Sequence, residues 1–240
     1  LYTNKTSKLT GEQIRDGWLK HIKNKEENFL WVSNQRALDL MTIGIVPPNT
    51  SDPKNNPDFD MIDAQLTTEI FGFYSPSNPD FAVKMAELPI QTTARFNAEW
   101  ISKFYVSMYS LAANPDPELN IKDNLIIIAE KSRKQLPDDS YASKMYDFVK
   151  KQYYEDIAWE TIRDNVYQRY QVEQKDGYDL TSRNMRCNAC AAAGINFAAS
   201  IISLFAGEGD LKETIKIGSL SGWDSDNPTA TWGGLIGFMI

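Results

Sequence analysis

In the stretch FNAEWISKFYVSMYSLAA, residues 96–113, Ile101, Phe104, Tyr105, Met108, Leu111 and Ala112 recur at three- and four-residue steps. Only a helix brings positions at that spacing onto one face, so the segment predicts a core helix. The same period runs from Gln13 to Ile22, where Thr10 and Gln13 have the spacing of a capping box. It returns in NLIIIAEKSRKQL (124–136) and in YASKMYDFVKKQYY (141–154). Alternating strand patterns are nearly absent, and the best of them, NLIIIA, sits inside a helical charge pattern. The expected fold class is therefore all-α, a compact orthogonal bundle of about ten helices.

A chain of 240 residues with 42% apolar content buries one sizeable core, and a single domain over 1–240 is expected. Its 25 basic and 32 acidic residues leave a net charge of −7, which repels a phosphate backbone or an anionic membrane surface. Neither nucleic acid nor membrane is an expected partner. No apolar run approaches the roughly 20 residues that span a bilayer. The opening LYTNKTSKLTGEQ lacks the apolar centre of a signal peptide, so a cytoplasmic location is expected.

Cys187 and Cys190 are the only cysteines, and CNAC has no second pair or nearby histidine to complete a zinc site. They read as two small buried residues opening a helix, with a reversible disulfide as the alternative. The single histidine, His21, falls in an amphipathic helix and reads as a partly exposed helix residue. Loops are marked by VPPNTSDPKNNPD (46–58), SPSNPD (75–80) and NPDPE (114–118). The first is long enough for a lid and is read as a mobile connection.

The chain closes on GWDSDNPTATWGGLIGFMI, where two aspartates precede an apolar helix. Pro228 is tolerated in a first helical turn, so Asp226 or Asn227 is the expected N-cap, with Asp224 on the incoming loop. Yet Asp224, Ser225, Asp226, Asn227 and Thr229 offer more oxygen donors than one cap needs, and hard cations take oxygen ligands. Gly233 and Gly237, four apart, predict a close helix–helix face and a buried central helix.

Two stretches together resemble a known family. NFAASIISLFAGEGDLKETIKIGSLSGWDSDNPTATWGGLIGFMI (196–240) is similar to the C-terminal signature of the ADP-ribosylglycohydrolases, in which a GEGD segment, an amphipathic helix and GWDTDxxAxxxGxxxG follow in order. IDAQLTTEIFGFYSPSNPDFAVKMAELPIQTTARFNAEWISKFYVSMYSLAA (62–113) resembles the family's central part. The resemblance implies an all-α bundle holding a pair of Mg²⁺ or Mn²⁺ ions. It also implies removal of ADP-ribose from a modified protein or an ADP-ribose-containing small molecule.

By that resemblance Asp224 and Asp226 are both metal ligands and the catalytic acids. Asn227 takes the place of a metal-binding threonine, and Thr93 and Asn97 fall where the family's substrate loop meets its helix and are expected substrate contacts, with a first-turn helix role as the alternative for Asn97; Asn188, outside the matched stretches, reads as a substrate contact or a plain N-cap. Glu69, an acid among apolar residues, reads as an exposed helix position.

The sequence departs from the family pattern in three places. The Asp-Asp-Thr-like cluster that opens the family is not found, since PDDSY (137–141) reads as a helix cap. The chain is therefore expected to lack an N-terminal metal-motif segment, and its apolar ending predicts a continuation. Thr93 is followed by Ala94 where relatives carry histidine, and the turn SPSNP and Asn227 both differ from the usual residues. The alternatives are a catalytically silent relative that binds ADP-ribose or serves as a scaffold, and an unrelated helical interaction protein.

Overall fold

Helices account for all of the regular secondary structure among the described residues, with no strand between them, as the apolar periodicity requires. The computed structural model describes residues 6–22, 29–183, 187 and 189–240. The chain divides into two compact units, Leu1–Ser110 and Leu111–Ile240.

The first unit contains α1 (Gly11–His21), α2 (Val32–Thr42), α3 (Asp63–Thr68), α4 (Ile70–Phe73), α5 (Pro79–Ile90) and most of α6 (Asn97–Ala112). Thr10 and Gln13 do form a capping box, Gln13 N–H donating to the Thr10 hydroxyl and Thr10 N–H to the Gln13 side chain. His21 is exposed in the last turn of α1. On α6, Ile101, Phe104, Tyr105 and Met108 are fully buried, as their spacing predicts. Gly72 lets α4 lie directly on α6: a Cβ there would stand 2.5 Å from the Tyr109 Cβ and 2.6 Å from the Val106 carbonyl oxygen.

Two readings of this unit change. The long loop before α3 is fastened in place. Thr50 and Ser51 donate to the carbonyls of Thr92 and Gln91 at 2.8 and 2.6 Å, and the buried Asn56 amide donates to the Thr50 carbonyl at 3.1 Å. Buried polar side chains must find such partners, so their burial and their bonding arise together. Glu69 is half-buried at the junction of α3 and α4, where its carboxylate is hydrogen-bonded to the Tyr109 hydroxyl, and burial together with that charge pushes the phenol upward.

The second unit contains α7 (Ile121–Ser132), α8 (Tyr141–Tyr154), α9 (Trp159–Val166), α10 (Ala193–Ala206), α11 (Leu211–Leu220) and α12 (Asp226–Met239). A π-helical turn, Tyr167–Val172, continues α9. Ser140 caps α8 through a 3.0 Å bond from Ser143 N–H, which confirms PDDSY as a cap. The central helix is α10: every residue from Ala193 to Phe205 is buried, and it packs against α8, α9, α11 and α12.

That arrangement corrects the reading of the closing helix. α12 buries only one face, through Pro228, Thr231, Trp232, Leu235 and Ile236, whereas Gly237 opens onto free space. The close approach is made from the partner helix, by Gly218 of α11, where a Cβ would stand 3.2 Å from Thr229 Cγ2. Among the described residues no helix is long and apolar enough to cross a membrane.

Candidate functional site

The aspartate loop is built by two left-handed residues in succession. Gly222 (φ +97°) and Trp223 (φ +55°) turn the chain out of α11 and aim it at the start of α12. Glycine takes this conformation freely, but for tryptophan it is costly and persists only where neighbouring structure holds it. The holding contact follows at once. Asp224 N–H donates at 3.0 Å to Oδ1 of Asn196, a fully buried side chain in the first turns of α10. The other end of that amide is equally committed, with Nδ2 donating to the carbonyls of Cys190 at 2.7 Å and Ala192 at 2.9 Å.

α12 then begins at Asp226, with Ser225 as its N-cap, and the Ser225 side chain makes no capping hydrogen bond. This differs from the expected cap by Asp226 or Asn227. Asp226 already has helical backbone in the first turn, so its carboxylate cannot fold back onto the N2 and N3 amides as an N-cap does. The turn is closed instead by Asn227 N–H donating to the Asp224 carbonyl at 3.0 Å and by the Thr229 hydroxyl donating to the Asp226 carbonyl at 2.8 Å. Pro228 sits within that first turn, where its missing N–H leaves no helical bond unmade. Trp232 locks the helix onto α10 through Nε1–H donating to the Ser200 carbonyl at 2.7 Å.

The three expected metal donors therefore share one turn at different depths. Asp226 is exposed, and its carboxylate makes no hydrogen bond or ion pair among the described residues. Asp224 is half-buried, and Asn227 is buried against the unit. By donor type the set suits a hard dication such as Mg²⁺, since two carboxylates and an amide offer only oxygen ligands. It supplies part of a coordination shell: among the described residues no group of three or more His, Cys, Asp or Glu side chains is arranged to hold a metal. Glu208, in the same C-terminal stretch, is already engaged. Lys122 Nζ and the Tyr153 hydroxyl donate to it at 2.7 and 2.6 Å and hold its carboxyl below the usual range.

Two of the expected substrate contacts are described in the first unit. Thr93 is buried just beyond α5, where its carbonyl accepts from the Ser33 hydroxyl at 2.7 Å, and Asn97 is the first residue of α6, half-buried. Both belong to the first unit. Glu99, in the first turn of α6, is paired with Lys103 Nζ at 2.7 Å and accepts from Gln91 Nε2 at 2.9 Å. Asn188 lies outside the described residues.

The cysteines differ from their expected role. Cys187 and Cys190 are joined in a disulfide, Cys187 is exposed, and the pair precedes α10 rather than opening it. Asn196 was the residue that sequence reasoning passed over. Its signal was a lone amide in the small apolar run GINFAAS, a position that has to find several partners once buried.

A scan against protein-family models gave no match, and searches of the curated proteins and of the solved structures gave none either.

Proposed function

We propose that the chain is part of an ADP-ribosylglycohydrolase-like, metal-dependent hydrolase acting on an ADP-ribosyl N- or O-glycosidic linkage of a modified protein or small conjugate. The observation that carries this reading is the exposed Asp226 carboxylate in the first turn of α12, which makes no hydrogen bond or ion pair among the described residues and stands in a loop crowded with oxygen donors. Capping is the ordinary explanation for acids at this junction, and it does not engage the Asp226 carboxylate.

In this reading Asp224, Asp226 and Asn227 would hold the dication, which would supply Lewis acidity and an anchor for neighbouring ribose hydroxyls. The exposed Asp226 carboxylate would take the proton of the water that attacks the anomeric carbon, and that proton would pass on to the departing nitrogen or oxygen as the glycosidic bond breaks. Asp224, tethered through its amide to Asn196, keeps the second carboxylate in constant register with the first.

Calorimetric titration with ADP-ribose, with and without Mg²⁺, tests the reading on the wild-type chain and on Asp226→Ala. Binding that requires Mg²⁺ and disappears in a variant of unchanged melting temperature supports it. Binding of equal strength with and without Mg²⁺ supports a silent ADP-ribose module in place of the hydrolase. Absence of binding under both conditions overturns the reading.

A further inference from the structure

We propose that the Cys187–Cys190 disulfide is a redox-operated anchor for the Asp224 loop, with Asn196 as the positioning residue that transmits its state. The observation is a single buried amide bracketing two strained turns. On one side lie Cys187 (φ +47°) and Ala189 (φ +59°), on the other Gly222 (φ +97°) and Trp223 (φ +55°). Asn196 donates from Nδ2 to the Cys190 carbonyl at 2.7 Å and accepts at Oδ1 from Asp224 N–H at 3.0 Å.

Non-glycine residues stay in the left-handed region only where the surroundings force them to. At Cys187 and Ala189 that force comes from the covalent bridge across the turn, assisted by Cys190 N–H on the Cys187 carbonyl at 3.2 Å and Ala192 N–H on the Ala189 carbonyl at 2.9 Å. Once the bridge opens, Cys187 and Ala189 are free to relax toward negative φ and the Cys190 carbonyl moves. Asn196 then keeps only its bond to Ala192 on that side, and its amide is free to rotate away from Asp224. Rotation removes the acceptor that holds the strained Trp223–Asp224 peptide in place.

The exposed Cys187 sulfur gives a reductant access. A thiolate of an external dithiol attacks Cys187 Sγ, the Cys187–Cys190 bond breaks, and Cys190 leaves as a thiolate that takes up a proton. The second thiol of the reductant then attacks the mixed disulfide and releases Cys187 as a thiol. The protein has gained two electrons and two protons, and the dithiol leaves as its own disulfide.

Hydrogen exchange of the oxidised and dithiol-reduced protein, read at the Asp224 amide, tests the anchor without reference to activity. Reduction is expected to speed that amide about tenfold while the α8 amides stay unchanged, since one anchoring hydrogen bond is lost and the core is not. Cys187→Ser is expected to behave as the reduced protein in both conditions. Asn196→Ala is expected to exchange fast in both conditions with its disulfide intact. Equal protection of Asp224 in the two redox states overturns the proposal, as does faster exchange throughout the unit, which would make the bridge a general staple.

The consequence for metal binding rests on the function proposed above and is read separately by titration with Mg²⁺ alone. Weaker binding in the reduced protein is expected. A redox response at Asp224 with no Mg²⁺ or ADP-ribose binding in either state upholds the anchor and overturns that function.

Discussion

Asp63 is 3% exposed at the start of α3, and its Oδ1 accepts Asn34 N–H at 2.9 Å. Burial pushes its carboxyl up to about 6 from an ordinary 3.8, against the lowering effect of the hydrogen bonds from Asn34 and its own amide and with a further push from Asp58. The sign follows directly. The folded chain holds the Asp63 proton more tightly than the unfolded chain, so the stability it contributes is complete below pH 4, is lost as pH rises through 6, and is absent at neutral pH. A difference of roughly 2 pH units corresponds to about 3 kcal/mol at 1.36 kcal/mol per unit, an upper bound for one buried group. Asp63→Asn removes the charge and keeps an oxygen for Asn34. The variant is expected to match or fall below the wild type at pH 4 and to exceed it by about 1–3 kcal/mol at pH 8, the remainder going to its new N–H groups. Urea unfolding of the two proteins at each half unit of pH isolates this group, because every other titrating side chain cancels in the difference. A difference that is flat between pH 4 and 8 would show that Asp63 titrates normally and would refute the reasoning.

Three further substitutions test the packing. Gly72→Ala is expected to cost about 1–3 kcal/mol in a denaturant melt, since its Cβ has no room against Val106 and Tyr109 and overpacking outweighs the gain in helix propensity. Trp232→Phe is expected to cost about 1–3 kcal/mol, read from the melting temperature, by removing the indole donor from the Ser200 carbonyl, which keeps only the Ser203 hydroxyl at 2.9 Å among its side-chain donors, and by leaving unfilled volume at a fully buried position. Ser140→Ala removes the α8 cap and is expected to cost about 1 kcal/mol; an unchanged melt would show that Ser143 N–H finds another acceptor.

The candidate site was half legible. The residue types of Asp224, Asp226 and Asn227 pointed to a hard-cation site on composition alone, because oxygen donors crowd there beyond the needs of a cap. Their depths were not legible. Neighbouring residues on one turn point in different directions, and only the seating of α12 on α10 and α11 decides that Asp226 faces outward while Asn227 turns in. The role of Asn196 was hidden for the same reason, since its partner Asp224 lies 28 positions away in sequence.

What the amino-acid order by itself determined is the local structure. The 3.6-residue apolar period required helices at α1, α6, α7 and α8, and the short-range chemistry of Thr10 with Gln13 and of Ser140 with Ser143 set the starts of α1 and α8. These features are decided within one or two turns of chain. The tertiary structure decided which helix is central, the fastening of the long loop by Thr50 and Ser51, the partner of Glu69, and the bridge between Cys187 and Cys190. The first three depend on burial and on groups brought together from distant positions. The bridge goes together with left-handed backbone at Cys187 and Ala189, which the preferences of those two residues disfavour.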